Sequence, residues 1–317
     1  MELVQPLPPG AVDVIGDVHG ELEVLQRLLR RLGYRENGSH PGGRWAVFLG
    51  DLVDRGPDSL GVAGLVEDWW RRGRALALLG NHELNLLQER RRSGNEWFFG
   101  EEEVDNGRVI AQRLAGPAER ARLRSWLLEL PLALEREDLL VVHACWEARA
   151  VEAVRRRRQN ALALLEAERA RLLTEAEARG LERDTAERDL FLQNGNPVRV
   201  LTSGLEEATP AEFVAGGRIR RTHRVRWWES WAGPGAVVFG HYWRSPAAVR
   251  VHAAGPDLFA GHPPLEPLGP ARRAFCIDYS VGRSNKARAR GQRPQGALGA
   301  LRWPEGEVVL EPAEPGP

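Results

Sequence analysis

Side chains that bind divalent metal ions follow five short apolar runs of this sequence. The candidate ligands are Asp17, His19, Asp51, Asn81, His143 and His241. The carboxyl ends of parallel strands share one edge of a sheet, so residues just past those ends can meet although they lie far apart in sequence. Imidazole, carboxylate and amide oxygen donors suit borderline divalent ions, and Asp51 could bridge two of them. Two ions about 3.5–4 Å apart can hold a shared hydroxide and clamp phosphoryl oxygens, which predicts phosphoryl chemistry here.

Alternating strands and helices are predicted to position these side chains. The predicted strands of the first part are residues 11–15, 44–49, 75–79 and 139–142. The predicted helices are residues 21–32, 59–72 and 83–92, the second capped by Asp58 or Ser59. This β-α-β-α order predicts a largely parallel sheet with right-handed crossovers. Later strands are predicted at residues 236–239, 247–251, 274–277, 297–301 and 308–310, with a loop at 255–270.

The middle of the chain has a different composition. Residues 147–188 are rich in Ala, Leu, Glu and Arg, which predicts two helices broken near Gly180. Residues 202–231 are expected to be irregular and Trp-rich. We therefore expect a core in two parts, residues 1–144 and 236–312. A mainly helical cap insertion occupies residues 145–235, and a tail occupies residues 313–317.

The composition is that of an ordinary globular protein. The chain has 317 residues, and 44 basic residues balance 44 acidic ones. Zero net charge argues against a stable nucleic-acid complex or attraction to an anionic membrane. No apolar stretch is long enough for a transmembrane helix, and the start lacks the pattern of a signal peptide, so a cytoplasmic location is expected. Cys145 and Cys276 are expected to be buried thiols, with a disulfide as the alternative.

Five motifs at the predicted strand ends resemble one known superfamily. They are GDVHG at 16–20, GDLVDRGPDS at 50–59, GNHE at 80–83, VVHA at 141–144 and FGHY at 239–242. They resemble the calcineurin-like metallophosphoesterases, specifically the phosphoprotein-phosphatase-like branch. That branch includes Ser/Thr protein phosphatases and bacterial diadenosine tetraphosphatase and PrpE-type enzymes. The resemblance implies an α/β fold, a four-layer α/β/β/α sandwich with an inserted helical cap. Residues 276–282 are similar to a closing segment that usually reads closer to IDTG, from which Tyr279 and Ser280 depart.

The resemblance also implies a role for each motif residue. Asp17 and His19 would bind the first metal, Asp51 would bridge, and the second metal would be bound by Asn81, His143 and His241. His82 would protonate the leaving oxygen as general acid, oriented by Asp54, and Arg55 would hold phosphate oxygens. Asp54 is absent from diadenosine tetraphosphatases with a GDLVARG run, so its presence favours the PrpE-like or protein-phosphatase pattern. The run after Gly240 also lacks the second His typical of diesterase branches, which favours monoester or pyrophosphate hydrolysis.

The expected function is a dinuclear-metal-dependent phosphohydrolase acting on phosphomonoester or phosphoanhydride bonds, for example in diadenosine tetraphosphate. A Ser/Thr phosphoprotein phosphatase is the first alternative, and a catalytically inactive metal-binding scaffold is the second. The substrate would be a phosphorylated small molecule or a phosphoprotein. Two divalent ions are expected as cofactors, manganese foremost, although the ligands also admit Fe, Zn, Ni or Co.

Other candidate residues admit two interpretations each. Arg199 and Arg244 are candidates for a second phosphate contact. However, Lys286 is the only lysine, so arginine clusters are expected by composition and are solvated surface by default. Four tryptophans could stack on a nucleobase or simply pack the insertion onto the core: Trp227, Trp228, Trp231 and Trp243. Glu83 is expected to cap or pack the following helix rather than to do chemistry.

Overall fold

A computed structural model of the chain describes residues 2–215, 218–247 and 257–314. Its strands are β1 (Val4–Pro6), β2 (Val12–Ile15), β3 (Trp45–Phe48), β4 (Ala75–Ala77), β5 (Glu103–Asp105), β6 (Arg108–Ile110), β7 (Ala133–Glu135), β8 (Leu139–Val142), β9 (Glu206–Ala215), β10 (Arg218–Arg224), β11 (Ala236–Phe239), β12 (Ala274–Cys276), β13 (Ala297–Trp303) and β14 (Glu307–Pro312). Its α-helices are α1 (Leu22–Leu32), α2 (Ser59–Arg71), α3 (Asn81–Leu87), α4 (Pro117–Leu127), α5 (Ala148–Arg155), α6 (Ala161–Ala178), α7 (Ala186–Asn194), α8 (Pro197–Ser203) and α9 (Ser284–Ala289).

Two five-stranded sheets form the core. One has the order β14-β13-β2-β3-β4, and the other has the order β1-β7-β8-β11-β12. The pairs β2–β3, β3–β4, β8–β11 and β11–β12 are parallel. Five strands precede the candidate ligands: β2, β3, β8 and β11 lie inside their sheets, whereas β4 is an edge strand. The predicted mixed α/β fold with two sheets is confirmed.

The alternation of side chains along the strands explains why the sheets pack together. Val14 of β2 and Val47 of β3 belong to the same buried apolar cluster as Val141 of β8 and Val238 of β11. Their sequence neighbours point to the opposite faces, where they join a second cluster together with residues of the helices. Successive strand residues face opposite sides, so both sheets bury both faces. This arrangement gives a layered sandwich with helices outside.

The helices of the first part begin and end at recognisable signals. In α1, five apolar residues are buried along one face, and the helix stops at Gly33, whose φ of 98° is left-handed. Asp58 caps α2 by accepting the backbone N–H of Gly61. Helix α3 begins at Asn81 rather than at Glu83 as predicted, because Gly80 and Glu83 form its capping box.

The segment between β8 and β11 differs from its prediction in two respects. Residues 147–188 were predicted to form two helices, but the structure has the helices α5, α6 and the start of α7. An additional break follows Arg155, where the Asn160 side chain caps α6 by accepting the N–H of Ala163. Residues 202–231 were predicted to be irregular, yet β9 and β10 form an antiparallel hairpin. The two strands are rich in charged residues and satisfy each other's backbone groups, so no apolar alternation revealed them.

The cysteines, one predicted strand and the expected lack of a membrane helix can also be compared with the structure. Both cysteines are buried and free, as expected, and burial raises the pKa of each thiol. The strand predicted at 247–251 falls almost wholly outside the described residues. In the described part of the chain, no helix combines the length and apolarity that a membrane crossing requires.

Candidate active site

Asp17 and His241 bring the two sheets together at one edge. Asp17 follows β2 of one sheet, and His241 follows β11 of the other. The backbone N–H of His241 donates to Oδ2 of Asp17 at 3.0 Å. Gly240 permits this approach, because a Cβ at that position would lie 2.0 Å from Oδ1 of Asp17. The loops after two strands in different sheets therefore share one small space.

Asp51 lies between two groups of imidazoles. Its Oδ2 is 3.7 Å from Nε2 of His19, and its Oδ1 is 3.4 Å from Nε2 of His143. Ligand atoms of His19, Asp51 and His82 lie within 4.8 Å of one another, as do those of Asp51, His143 and His241. Burial raises the pKa of the Asp51 carboxyl, but the surrounding imidazoles outweigh this and hold it well below its usual range. One ionised carboxylate thus belongs to both groups.

Backbone carbonyls fix the tautomer of two of these imidazoles. Nδ1 of His19 donates to the carbonyl of Val53 at 3.1 Å, and Nδ1 of His143 donates to that of Leu49 at 3.0 Å. In the neutral rings the Nε2 lone pairs then point toward Asp51, as expected for metal-binding histidines. Burial lowers the pKa of His19 well below its usual value, with Arg55 acting in the same direction. Burial also lowers the pKa of His143, but Asp51 and other carboxylates raise it to about 9 overall.

Two buried polar atoms support a cation site in this cluster. Oδ1 of Asp17 and Nε2 of His241 are buried, and neither has a hydrogen-bond partner. Buried polar groups normally have partners, so an orphaned carboxylate oxygen and an orphaned imidazole nitrogen in the same cluster call for a ligand. Oδ1 of Asn81 lies 3.3 Å from Nε2 of His143 and adds an amide oxygen. This mixed N and O donor set fits divalent ions.

Glu83 holds the loop that carries Asp51. Its side chain is completely buried and accepts the backbone N–H groups of Asp51, Leu52, Val53 and Gly80 at 2.8–3.3 Å. Four accepted bonds on one carboxylate fix the turn after β3 against the start of α3. Glu83 was predicted to cap or pack α3, and it does cap the helix while also binding the neighbouring loop.

His82 and Asp54 form a buried pair beside Asp51. Nδ1 of His82 lies 2.6 Å from Oδ2 of Asp54, and Nε2 of His82 is 3.9 Å from Oδ2 of Asp51. The indole N–H of Trp97 donates to the other oxygen of Asp54 at 2.9 Å. Burial raises the pKa of Asp54, although its hydrogen bonds act against this. The Nε2 atom of His82 is therefore aimed at the same space as the candidate metal ligands, which suits a proton donor.

Arg55 points its guanidinium into the same space. Its Nη1 lies 3.0 Å from Nε2 of His19, and its Nη2 lies 2.9 Å from Nε2 of His82. The backbone of Arg55 has a φ of 70°, held by its N–H bond to Gly94 and by Asn285, which donates to its carbonyl. The two terminal nitrogens diverge from one planar group, the geometry that binds two phosphate oxygens.

The two arginines predicted to give a second phosphate contact have different surroundings. Arg244 is buried, and its guanidinium donates to the carbonyls of Pro263 and Glu266, the latter at 2.8 Å. It thereby supports the loop before β12. Arg199 lies at the start of α8, where burial and the charges of Arg90 and Arg169 lower its pKa. The structure does not bring Arg199 into contact with the candidate ligands, and its role stays a prediction.

The tryptophans separate into two classes. Trp227 and Trp228 are buried, and Trp228 stacks between Phe239 and Phe259. Trp231 packs edge-on against Trp227. These three side chains therefore pack the segment onto the core. Trp243 is half-buried and instead lies against Arg55, with 4.4 Å from the guanidinium carbon to the ring centre.

Two residues near the ligands were not singled out from the sequence. Asp278 is buried and accepts the backbone N–H of Trp243 at 2.8 Å and of Ser280 at 2.9 Å. Arg224, at the end of β10, donates to the carbonyl of His241 at 3.0 Å. Asp278 lies just past β12, so the strand-end rule that found the other ligands could have found it. No local pattern distinguished Arg224 from the surrounding arginines.

Comparison with known proteins assigns the family. The model of the calcineurin-like phosphoesterases matches residues 11–266, and the chain belongs to this family. A bis(5'-nucleosyl)-tetraphosphatase PrpE [asymmetrical] of Geobacillus sp. (strain WCH70) is 32% identical over 146 residues, covering 42% of this chain and 56% of the relative. A symmetrical bis(5'-nucleosyl)-tetraphosphatase of Ralstonia nicotianae is 36% identical over 141 residues, covering 44% and 43%. The predicted family resemblance is confirmed.

A solved structure extends the similarity of fold to the full chain. A Ser/Thr phosphatase from Saccharomyces cerevisiae, described as similar to human phosphatase PP5, covers 100% of this chain and 85% of its own. The TM-score is 0.54 at 15% sequence identity, a likeness of fold alone. The curated relatives, by contrast, align with the chain over about a third to just over half of their own length.

Proposed function

We propose that the chain is a phosphohydrolase that depends on two divalent metal ions and cleaves phosphomonoester or phosphoanhydride bonds. The observation that carries this proposal is the position of Asp51 between two imidazole groups. In this proposal Asp17 and His19 would hold one ion, Asn81, His143 and His241 would hold the other, and Asp51 would bind both. When bound, the ions would neutralise phosphate charge and activate water. Manganese is proposed first, with Fe, Zn, Ni or Co as the other candidates.

The remaining residues have separate tasks in the reaction. Arg55 binds two oxygens of the transferred phosphoryl group and stabilises their charge. To do so its two terminal nitrogens turn from the imidazoles of His19 and His82 toward the substrate. Nε2 of His82 then faces the leaving oxygen and donates a proton as the bond to phosphorus breaks. Asp54 holds Nδ1 of the same ring and stabilises the imidazolium form before transfer.

The substrate proposed is a dinucleoside polyphosphate such as diadenosine tetraphosphate. Support comes from the relatives named bis(5'-nucleosyl)-tetraphosphatase, which are 32% and 36% identical to this chain over the matched segments. A pyrophosphate linkage and a monoester need the same phosphate contacts and the same proton donor.

Residues 145–235 are proposed to act as a cap beside this site. Arg224 reaches the carbonyl of His241, and the indole N–H of Trp227 donates to the carbonyl of Ala144 at 3.2 Å. Both contacts fall on residues at or next to candidate ligands. The cap is therefore joined to the ligand loops at two points, where it can shape access for the part of the substrate beyond the phosphate.

A substrate panel with added Mn²⁺ tests the proposal. It compares p-nitrophenyl phosphate, diadenosine tetraphosphate, a phosphoserine peptide and bis(p-nitrophenyl) phosphate, using wild type and Asp51→Asn. We expect turnover of the tetraphosphate and the monoester by wild type, and loss of both activity and bound manganese in Asp51→Asn. Preference for the phosphopeptide would replace the nucleotide assignment with a protein phosphatase. Full manganese occupancy without turnover of any substrate would overturn the enzyme assignment in favour of a scaffold.

A further inference from the structure

Several contacts fix the backbone and Cγ of Arg55 (here called its stem), but few groups hold its guanidinium. The backbone of Arg55 donates to Gly94 and accepts from Asn285. A Cβ at Gly94 would lie 3.0 Å from Cγ of Arg55, so the chain also packs closely around the stem. Within the described residues, the terminal nitrogens lie within hydrogen-bond distance of the imidazoles of His19 and His82. In the proposed reaction both contacts must be exchanged for phosphate oxygens, so another group has to keep the guanidinium in place.

The Arg55 guanidinium lies over the ring of Trp243. The guanidinium carbon of Arg55 lies 4.4 Å from the centre of the Trp243 ring. A cation over an indole face is attracted by the ring's negative face, and this attraction leaves the in-plane N–H groups free. A stacking contact can therefore persist while the hydrogen bonds of the same guanidinium change partners.

The indole itself is anchored through its backbone. Trp243 has a φ of 58°, a left-handed conformation unusual for a bulky residue. Its N–H donates at 2.8 Å to Oδ2 of Asp278, a completely buried carboxylate whose other oxygen accepts the N–H of Ser280. Trp243 also follows His241 by two residues. The buried carboxylate thus fixes the turn that presents both the candidate ligand His241 and the indole.

We infer that Trp243 is a positioning residue for phosphate binding: it holds the Arg55 guanidinium by stacking, so that both terminal nitrogens stay aimed at the phosphoryl oxygens. This inference rests on the proposed function. It assigns Trp243 a role toward every phosphate substrate, whatever group lies beyond the phosphate. A direct contact between the indole and a nucleobase is the competing role, and it would affect nucleotide substrates only.

The experiment is a double-mutant cycle between Arg55 and Trp243 with two readouts. Trp243→Leu removes the ring face and keeps apolar volume, whereas Trp243→Phe keeps a ring. Binding of inorganic phosphate to the manganese-loaded protein is measured by calorimetry, and KM and kcat are measured with p-nitrophenyl phosphate. We expect Trp243→Leu to weaken phosphate binding and raise KM about 5- to 30-fold with a much smaller change in kcat, while Trp243→Phe stays close to wild type. In the Arg55→Ala background, Trp243→Leu should have no further effect.

A matched control separates a local effect from general destabilisation. Trp70 is also half-buried and lies against an arginine, with 5.6 Å from the Arg71 guanidinium to its ring, on a helix remote from the ligands. Trp70→Leu should leave phosphate binding and KM unchanged. Manganese content and thermal midpoint are measured for every variant.

Several outcomes would overturn the inference. An equal loss from Trp243→Leu with and without Arg55 would show that the indole does not act through that residue. A loss with diadenosine tetraphosphate but not with p-nitrophenyl phosphate or free phosphate would assign it to the nucleobase. Loss of manganese in Trp243→Leu would place the effect on the His241 loop. If wild type turns over no substrate, the proposed function fails, while the phosphate-binding cycle still decides whether Trp243 and Arg55 are coupled.

Discussion

Nδ1 of His82 and Oδ2 of Asp54 are 2.6 Å apart in a completely buried pair. This contact decides which nitrogen of His82 is available, because a proton held on Nδ1 by the carboxylate leaves Nε2 facing the reaction space. Asp54 itself is fixed by the indole of Trp97. The pair thus links the loop after β3 to the start of α3.

Asp54→Asn tests whether this contact serves proton donation. The amide cannot stabilise the imidazolium form of His82, so proton transfer to the leaving oxygen should fail. We expect kcat for phenyl phosphate, whose leaving group needs a proton, to fall about 100-fold. The loss for p-nitrophenyl phosphate, whose leaving group is stable as an anion, should be several-fold smaller. Equal losses on the two substrates at unchanged metal content would contradict a role in proton donation.

Gly240→Ala tests the close contact between the two sheets. The added Cβ would lie 2.0 Å from Oδ1 and 3.0 Å from the carboxyl carbon of Asp17. Either the carboxylate or the His241 loop must move, so we expect lower manganese occupancy after dialysis. Activity at a fixed metal concentration should fall at least 100-fold, roughly the loss expected when reacting groups are misplaced. The metal content is measured by mass spectrometry.

Gly64→Ala is the matched control for this substitution. Gly64 lies inside α2 with no atom within 4 Å of an added Cβ. Alanine has the higher helix propensity, so this variant should be as stable as wild type or about 0.5–1 kcal/mol more stable, with full metal content. Normal metal content in Gly240→Ala would show that Asp17 and His241 tolerate separation.

The strand-end motifs predicted the two-sheet fold and the proximity of the candidate ligands because they are local signals with one geometric consequence. Glycine-flanked Asp17, Asp51 and Asn81 follow mainly apolar strands, and parallel pairing of β2, β3 and β4 then sets them at one edge. The β9–β10 hairpin was missed because its exposed strands carry charged residues without alternation. The contact of Trp243 with Arg55 joins the loop after β3 of one sheet to the loop after β11 of the other, a meeting of two sheets that no window of sequence contains.

The pKa of His143 predicts how metal binding depends on pH. Burial lowers this pKa, but Asp51, Asp17 and Glu83 raise it to about 9 in the metal-free protein. A metal can bind Nε2 only after that proton leaves, so affinity should rise as pH increases from 6 and level off near pH 9. Competition titrations with a metal chelator at several pH values, together with proton release in weakly buffered solution, measure this. Proton release that is absent at pH 7 would contradict the prediction.

A buried ion pair at the other end of β2 predicts a large effect on stability alone. Asp13 is completely buried and accepts from Arg44 at 2.8 Å and from the Tyr34 hydroxyl at 3.0 Å. Asp13→Ala leaves the nearly buried Arg44 guanidinium without this carboxylate, which should lower the free energy of unfolding by about 3–5 kcal/mol. Because Asp13 lies at the start of β2 and Asp17 after its end, kcat of the folded variant should stay at the wild-type value.

Adding Arg44→Met to Asp13→Ala distinguishes a lost ion pair from lost packing. If the penalty comes from an uncompensated buried charge, removing the guanidinium should restore a substantial part of the free energy of unfolding. Urea denaturation at pH 7 measures Asp13→Ala, Arg44→Met and the double variant, and the slope of the transition verifies that they unfold over the same surface. If the two losses of unfolding free energy add, each side chain contributes separately. Arg44 would then act through its second partner, Glu305, which lies 2.8 Å from its guanidinium.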